Sequence, residues 1–217
     1  MQTNDWDRAA AVHQYFLQSA ATFSPDLVRD LRRIRPLSVP RRRSRVLLTF
    51  LGRVVVGQQL STFAARSIWN RIKEVAGERG LLLEDVLHPR FGTRLRKCGV
   101  SPNKVRAICA IRKAIDEGAI AERAIARITH TERSQLLLNV WGIGPWTCDM
   151  TGIFFFKDVN VWPSGDVAVT RTFMRYAGKG RSWNARHDAL VSRFAPHRSL
   201  LALYMYRIAD SEFDFDA

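Results

Sequence analysis

The sequence has few cysteines, no long apolar run and few acidic residues, and each shortage removes a class of protein. Cys98, Cys109 and Cys148 are its only thiols. They are too few and too scattered for a disulfide framework or for a four-thiolate zinc or iron–sulfur site, so a reducing compartment is expected. No apolar run approaches the roughly 18 residues that suggest a membrane span. The opening stretch MQTNDWDRAA carries two acids where a signal peptide would be basic, and a soluble, cytoplasmic protein is therefore expected. Against 20 Asp plus Glu stand 34 Lys plus Arg, a formal net charge of +14, while 47% of the 217 residues are apolar. That balance excludes a disordered polycation and describes a folded chain with a basic surface. The length suits one compact domain or two small lobes.

A basic fold is drawn to polyanions, with DNA or RNA first because every phosphate neutralised releases a condensed counterion. Arg32, Arg33, Arg35, Arg41, Arg42, Arg43 and Arg45 form one dense stretch, whose ordinary reading is a solvated face.

Hydrophobic spacing of helical period dominates, no convincing alternating strand pair occurs, and the expected class is all-α. Two short helices are predicted over 6–19 and 25–34, the second capped by Ser24 with Pro25 in its first turn. A linker over 36–40 leads to a long apolar helix over 44–58. Ser61 or Thr62 caps a helix over 63–76, short turns follow, and Ser101 caps a helix over 102–117. Further helices are expected over 119–127, 132–140, 146–156, 167–177, 183–194 and 198–209.

The most informative stretch is LNVWGIGPWTCDM, Leu138 to Met150. A leucine-rich helix ends, Gly142-Ile143-Gly144 turns the chain, and Pro145 opens the next helix. Two glycines flanking one apolar residue let a backbone come close to a phosphate, while the amides that open a helix carry partial positive charge. This is the physics of a helix-hairpin-helix, which grips a DNA backbone without reading sequence; an isolated Gly-x-Gly is more often a tight turn between core helices. Twenty residues past Trp146, Pro163 and Gly165 bend the chain before a helix whose N-cap position falls at Asp166. Taken alone, a capping role explains that aspartate.

Taken together, Gln58-Gln59-Leu60-Ser61, Gly99-x-Ser101-x-x-Lys104, Leu138-x-Val140-x-Gly142-Ile143-Gly144-Pro145-Trp146-Thr147, Pro163-x-x-Asp166 and Pro196-His197-Arg198-Ser199-Leu200 closely resemble the helix-hairpin-helix DNA glycosylases, in the DNA-3-methyladenine glycosylase II branch. The resemblance spans about Ser44 to Asp210. It implies two helical lobes with a cleft between them, residues 1–43 completing one lobe, 44–210 forming the glycosylase core and 211–217 an acidic tail. It further implies a monofunctional enzyme acting, as a monomer, on double-stranded DNA with a damaged base. Asp166 would be the catalytic carboxylate and Trp146 would stack on the extruded base. Gln59 or Leu60 would plug the gap, and main-chain carbonyls of Leu138, Val140 and Ile143 would hold a monovalent cation, Na or K.

The other site assignments combine the resemblance with residue chemistry. Tyr206 is expected as a second aromatic wall and Met150 as a pocket residue; the family often has tryptophan at the first position and tyrosine at the second. Gln58, Gly142, Ile143, Gly144 and Thr147 belong to the expected DNA-binding surface, with Lys104, Arg106, Arg171 and Arg175 as candidate phosphate contacts. Tryptophan at position 146 stands where strand-cutting relatives use a lysine to form a Schiff base, which implies hydrolysis alone. A non-enzymatic helix-hairpin-helix DNA-binding module is the alternative; it would keep Gly142 to Pro145 and the charge without needing Asp166 or Trp146.

Overall fold

The computed structural model describes residues 5–39, 46–178 and 182–209, and among them all regular structure is helical. In chain order the helices are α1 (Asp5–Ala21), α2 (Pro25–Arg33), α3 (Leu47–Gly57), α4 (Thr62–Gly77), α5 (Leu83–Val86), α6 (Gly92–Lys97), α7 (Pro102–Asp116), α8 (Glu122–Ile125), α9 (His130–Leu138), α10 (Pro145–Met150), α11 (Val167–Ala177), α12 (Ala185–Ser192) and α13 (Arg198–Ile208). Among the described residues no helix is long and apolar enough to cross a membrane.

Three serines start helices as their side chains dictate. Ser24 accepts a hydrogen bond from the Leu27 amide at 3.1 Å, Ser61 from Ala64 at 3.2 Å and Ser101 from Lys104 at 3.4 Å, each satisfying an amide that the first helical turn leaves without a partner.

The departures have local causes. Helix α9 starts at His130 because Thr129 and Glu132 form a capping box, the Glu132 carboxylate accepting from the Thr129 amide at 2.8 Å and the Thr129 hydroxyl from the Glu132 amide at 3.3 Å. The single helix expected over 146–156 divides into α10 and a π-helical segment, Thr151–Phe156. There the Thr151 hydroxyl donates to the Thr147 carbonyl at 2.6 Å, a back-bond that bends helices, and Phe155 packs on Phe50 and Phe156. Short turns before Ser101 contain α5, a 3-10 turn at Pro89–Phe91 and α6. The helix expected over 119–127 shrinks to α8, and α12 starts at Ala185 with Asn184 as its cap. The expected start of α3 at Ser44 lies outside the described residues, and the helix is regular from Leu47.

The described residues pack as two units, one within Met1–Arg41 and Lys157–Phe213, the other within Arg42–Phe156. The first unit combines α1 and α2 with α11, α12 and α13. Phe16 meets Phe194 and Tyr204 edge-on at 5.4 and 5.6 Å. The Tyr204 hydroxyl pairs with His13 Nδ1 at 2.7 Å and accepts from the Leu37 amide at 3.1 Å. In the second unit α3 is central, packed on α7 and α4. Leu51, Val55, Ile72, Ile108, Ile111 and Leu137 have no exposed surface there, each contributing about 1.5–3 kcal/mol of burial.

Candidate active site

In the second unit the hairpin grows out of the end of α9. The Asn139 amide bonds to the Leu136 carbonyl and the Val140 amide to Leu137, at 3.3 and 3.0 Å, tightening the last turn. The Ile143 amide then closes on the Val140 carbonyl at 3.1 Å. Val140 and Ile143 are buried and anchor the turn in the core.

Gly142 has φ +89°, and a Cβ there would lie 2.3 Å from Ala107 Cβ on α7. Only glycine fits so close an approach with that backbone. Gly144 is different: its φ is −110°, it caps α10, and a Cβ would meet nothing within 4 Å. The first glycine is therefore required by packing, whereas the second keeps the outer face of the turn bare.

Three residues expected at the DNA-binding surface make internal hydrogen bonds. Gln58 Nε2 donates to the Gly142 carbonyl at 3.2 Å and to Thr147 Oγ1 at 3.0 Å. Lys104 Nζ donates to the Val56 and Gln58 carbonyls at 2.8 and 2.9 Å, closing the C-terminal end of α3, and burial pulls its pKa below the ordinary lysine value. Thr147 is buried. Their polar atoms serve carbonyls and hydroxyls that the fold would otherwise leave without partners. Sequence could not separate this from phosphate contact, since either use asks for the same groups.

The turn that Lys104 closes carries exposed groups. Gln59 is exposed with φ +56°, and Leu60 is 40% exposed rather than part of the core. Phe63, which sequence reasoning missed, is 82% exposed. It falls outside the apolar stripe of α4 formed by Trp69, Ile72 and Ala76, and that mismatch was the available signal. Beyond the hairpin, Trp146 is half-buried and Met150, expected as a pocket residue, has no exposed surface.

The first unit holds the carboxylate. The turn over 163–166 closes when the Asp166 amide donates to the Pro163 carbonyl at 2.9 Å. Asp166 then caps α11, its Oδ1 accepting from the Val169 amide at 3.0 Å. Its Oδ2 accepts from the Tyr206 hydroxyl at 2.6 Å, within the short range of a charge-assisted O–H···O bond. Asp166 is 6% exposed and Tyr206 3%. Tyr206, expected as a wall of the base pocket, has its ring buried on α13, and its hydroxyl orients the carboxylate.

The motif at 196–200 also gains a physical meaning. The Ser199 hydroxyl donates to the Asp158 carbonyl at 2.6 Å and accepts from the Val161 amide at 2.9 Å. Arg198 bonds Asn160 through its side-chain and backbone oxygens at 2.8 and 3.1 Å. The start of α13 therefore pins the loop that delivers Asp166, while Arg171 and Arg175 stand exposed on α11. A carboxylate with both oxygens oriented can stabilise a developing positive charge without reorganising during reaction.

No protein-family model matches the sequence. The chain is 27% identical over 161 residues to DNA-3-methyladenine glycosylase 1 of Schizosaccharomyces pombe, covering 71% of this chain and 69% of that protein. It is 24% identical over 198 residues to the DNA-3-methyladenine glycosylase of Saccharomyces cerevisiae, covering 76% and 67% respectively. Its fold is similar to that of the S. pombe 3-methyladenine DNA glycosylase in complex with abasic DNA, with a TM-score of 0.74 and 23% identity, covering 91% of this chain and 95% of that one.

Proposed function

We propose that the chain, similar in sequence to DNA-3-methyladenine glycosylases and in fold to one of them, is a helix-hairpin-helix DNA glycosylase and a monofunctional enzyme of base excision repair. It hydrolyses the N-glycosidic bond of alkylated purines, 3-methyladenine and 7-methylguanine, in double-stranded DNA, and leaves an abasic site. It acts as a cytoplasmic monomer. The observation that carries this reading is the Asp166 carboxylate, buried and held through both oxygens by Val169 and Tyr206. A non-enzymatic DNA-binding module would need Asp166 only as the cap of α11.

The target base must leave the duplex, at a cost of a few kcal/mol. Gln59 or Leu60, both exposed on a backbone turn, supplies the group that fills the vacated space. Trp146 offers a ring face to the base, and cation–π attraction of about 2 kcal/mol in a desolvated site favours an alkylated, positively charged purine. The bond from C1′ to the base then breaks with its electron pair passing to the purine, cancelling the positive charge there. The sugar becomes oxocarbenium-like opposite Asp166, and water adds to C1′ with release of a proton. Tryptophan at position 146 provides no amine, so no Schiff base forms and the strand stays intact.

The hairpin carbonyls of Leu138, Val140 and Ile143 are neutral, hard oxygen donors at a helix end, and as a donor set they fit Na or K. A bound ion would add positive charge beside the phosphates. Among the described residues no group of three or more His, Cys, Asp or Glu could hold a metal ion.

The test is incubation with alkylated duplex DNA followed by hot alkali. Strand breaks at purines only after the alkali step, with no borohydride-trapped protein–DNA adduct, are expected. Binding without breaks would identify the non-enzymatic module, and a trapped adduct would refute the monofunctional reading. Tyr206→Phe should lower the single-turnover rate of base release about tenfold to a hundredfold, the worth of one hydrogen bond to a charged group, with little change in DNA affinity. An unchanged rate would show that the hydroxyl does not position the carboxylate.

A further inference from the structure

We propose that Arg106, laid on the ring of Trp141, is a DNA-phosphate contact of the hairpin, and that Lys104, two residues earlier on α7, is a strut that never meets DNA. The inference rests on the reading that the hairpin grips a DNA backbone. The Arg106 guanidinium carbon lies 4.2 Å from the Trp141 ring centroid, and both side chains are exposed. Their position follows from the closest contact of the hairpin. Trp141 immediately precedes Gly142, Arg106 immediately precedes Ala107, and Gly142 sits directly against Ala107. The stacked pair therefore flanks the turn that carries the bare glycine face.

Stacking engages the face of the guanidinium and leaves its N–H groups directed around the edge, in the plane that matches two phosphate oxygens. The ring also restricts a long side chain whose ordering would otherwise oppose binding, and a weakly hydrated guanidinium gives up water to an anion more readily than an ammonium does. Trp141 is in this view a platform. Lys104 has the opposite environment, with its ammonium spent on the Val56 and Gln58 carbonyls. Through Gln58, which reaches the Gly142 carbonyl, it ties the Gln59–Leu60 turn to the hairpin.

The experiment measures affinity for a duplex carrying an abasic-site analogue, by fluorescence anisotropy, across about 50–200 mM salt. Each phosphate contact contributes about 0.9 to the slope of log affinity against log salt. Arg106→Gln should reduce the slope by about that amount. Arg106→Lys should keep the slope but bind less tightly, because the charge remains while the stacked fork is lost. Lys104→Met should keep the wild-type slope even where affinity falls; if that variant does not fold, the Arg106 series alone decides. An unchanged slope in Arg106→Gln overturns the proposal, as does an equal loss of slope in Lys104→Met. Wild-type protein with no salt-dependent affinity for the duplex would instead refute the functional reading on which the inference rests.

Discussion

Asp166→Asn is expected to slow release of 3-methyladenine by a hundredfold to a thousandfold or more while leaving the thermal midpoint almost unchanged. The two halves of that result separate the roles one side chain could have. As a cap of α11, asparagine serves nearly as well as aspartate: its Oδ1 can still accept from the Val169 amide now bonded at 3.0 Å, and the two residues rank equally at N-caps. The Tyr206 hydroxyl can turn from donor to acceptor and meet the new amide. Stability should therefore move by no more than about 1 kcal/mol. As the group that faces an oxocarbenium-like sugar, however, asparagine has lost the charge. Removing a single preorganised electrostatic group costs about 2.7–4 kcal/mol of transition-state stabilisation. Single-turnover release from methylated DNA, set beside a melting curve, checks both halves. Near-normal release would reduce Asp166 to a cap and remove the central support for an enzyme.

Gly142→Ala should act through the fold. Forcing φ +89° on an alanine costs about 1–2 kcal/mol. The added methyl would also sit 2.3 Å from Ala107 Cβ and 3.2 Å from Ala107 Cα, and overpacking of this kind costs about 1–3 kcal/mol more. The sum is a large part of a typical stability of about 5–15 kcal/mol, and the melting midpoint should fall on the order of 10 °C, with DNA affinity falling as the turn shifts. Combining the change with Ala107→Gly separates the causes: removing the facing methyl should restore the steric part and leave the backbone part. Full recovery would mean that the positive φ costs nothing, and no recovery would mean that the hairpin does not rest on α7. Gly144→Ala, with open space around its Cβ, should be mild by comparison.

Much of the helical layout was legible because it depends on neighbours in sequence. A serine before a helical run satisfies nearby amides whatever the rest of the chain does: Ser24 and Ser101 cap as expected, and of the two candidates Ser61 and Thr62 it is Ser61 that caps. Asp166 caps α11 for the same reason. Thr129 and Glu132 carry an equally local signal, their capping box, beside the leucines that follow. The π-helical segment after Met150 was not legible, because it depends on how Phe155 packs against Phe50, a residue distant in sequence. Lys104 and Arg106 look alike in the sequence, and Tyr206 reads as an aromatic wall until Asp166 is found at its hydroxyl.

Charge balance, helical period, the caps and the glycine–proline turn were set by the sequence alone, because each rests on residues a few positions apart or on sums over the chain. Which polar groups are used up inside the fold and which remain for a ligand was decided by tertiary structure. A donor's role depends on the acceptor it meets: for Lys104 that acceptor is a helix-end carbonyl 46 residues away, and for Tyr206 a carboxylate 40 residues away. No local pattern encodes such a meeting, since only packing of the intervening helices brings donor and acceptor within bonding distance.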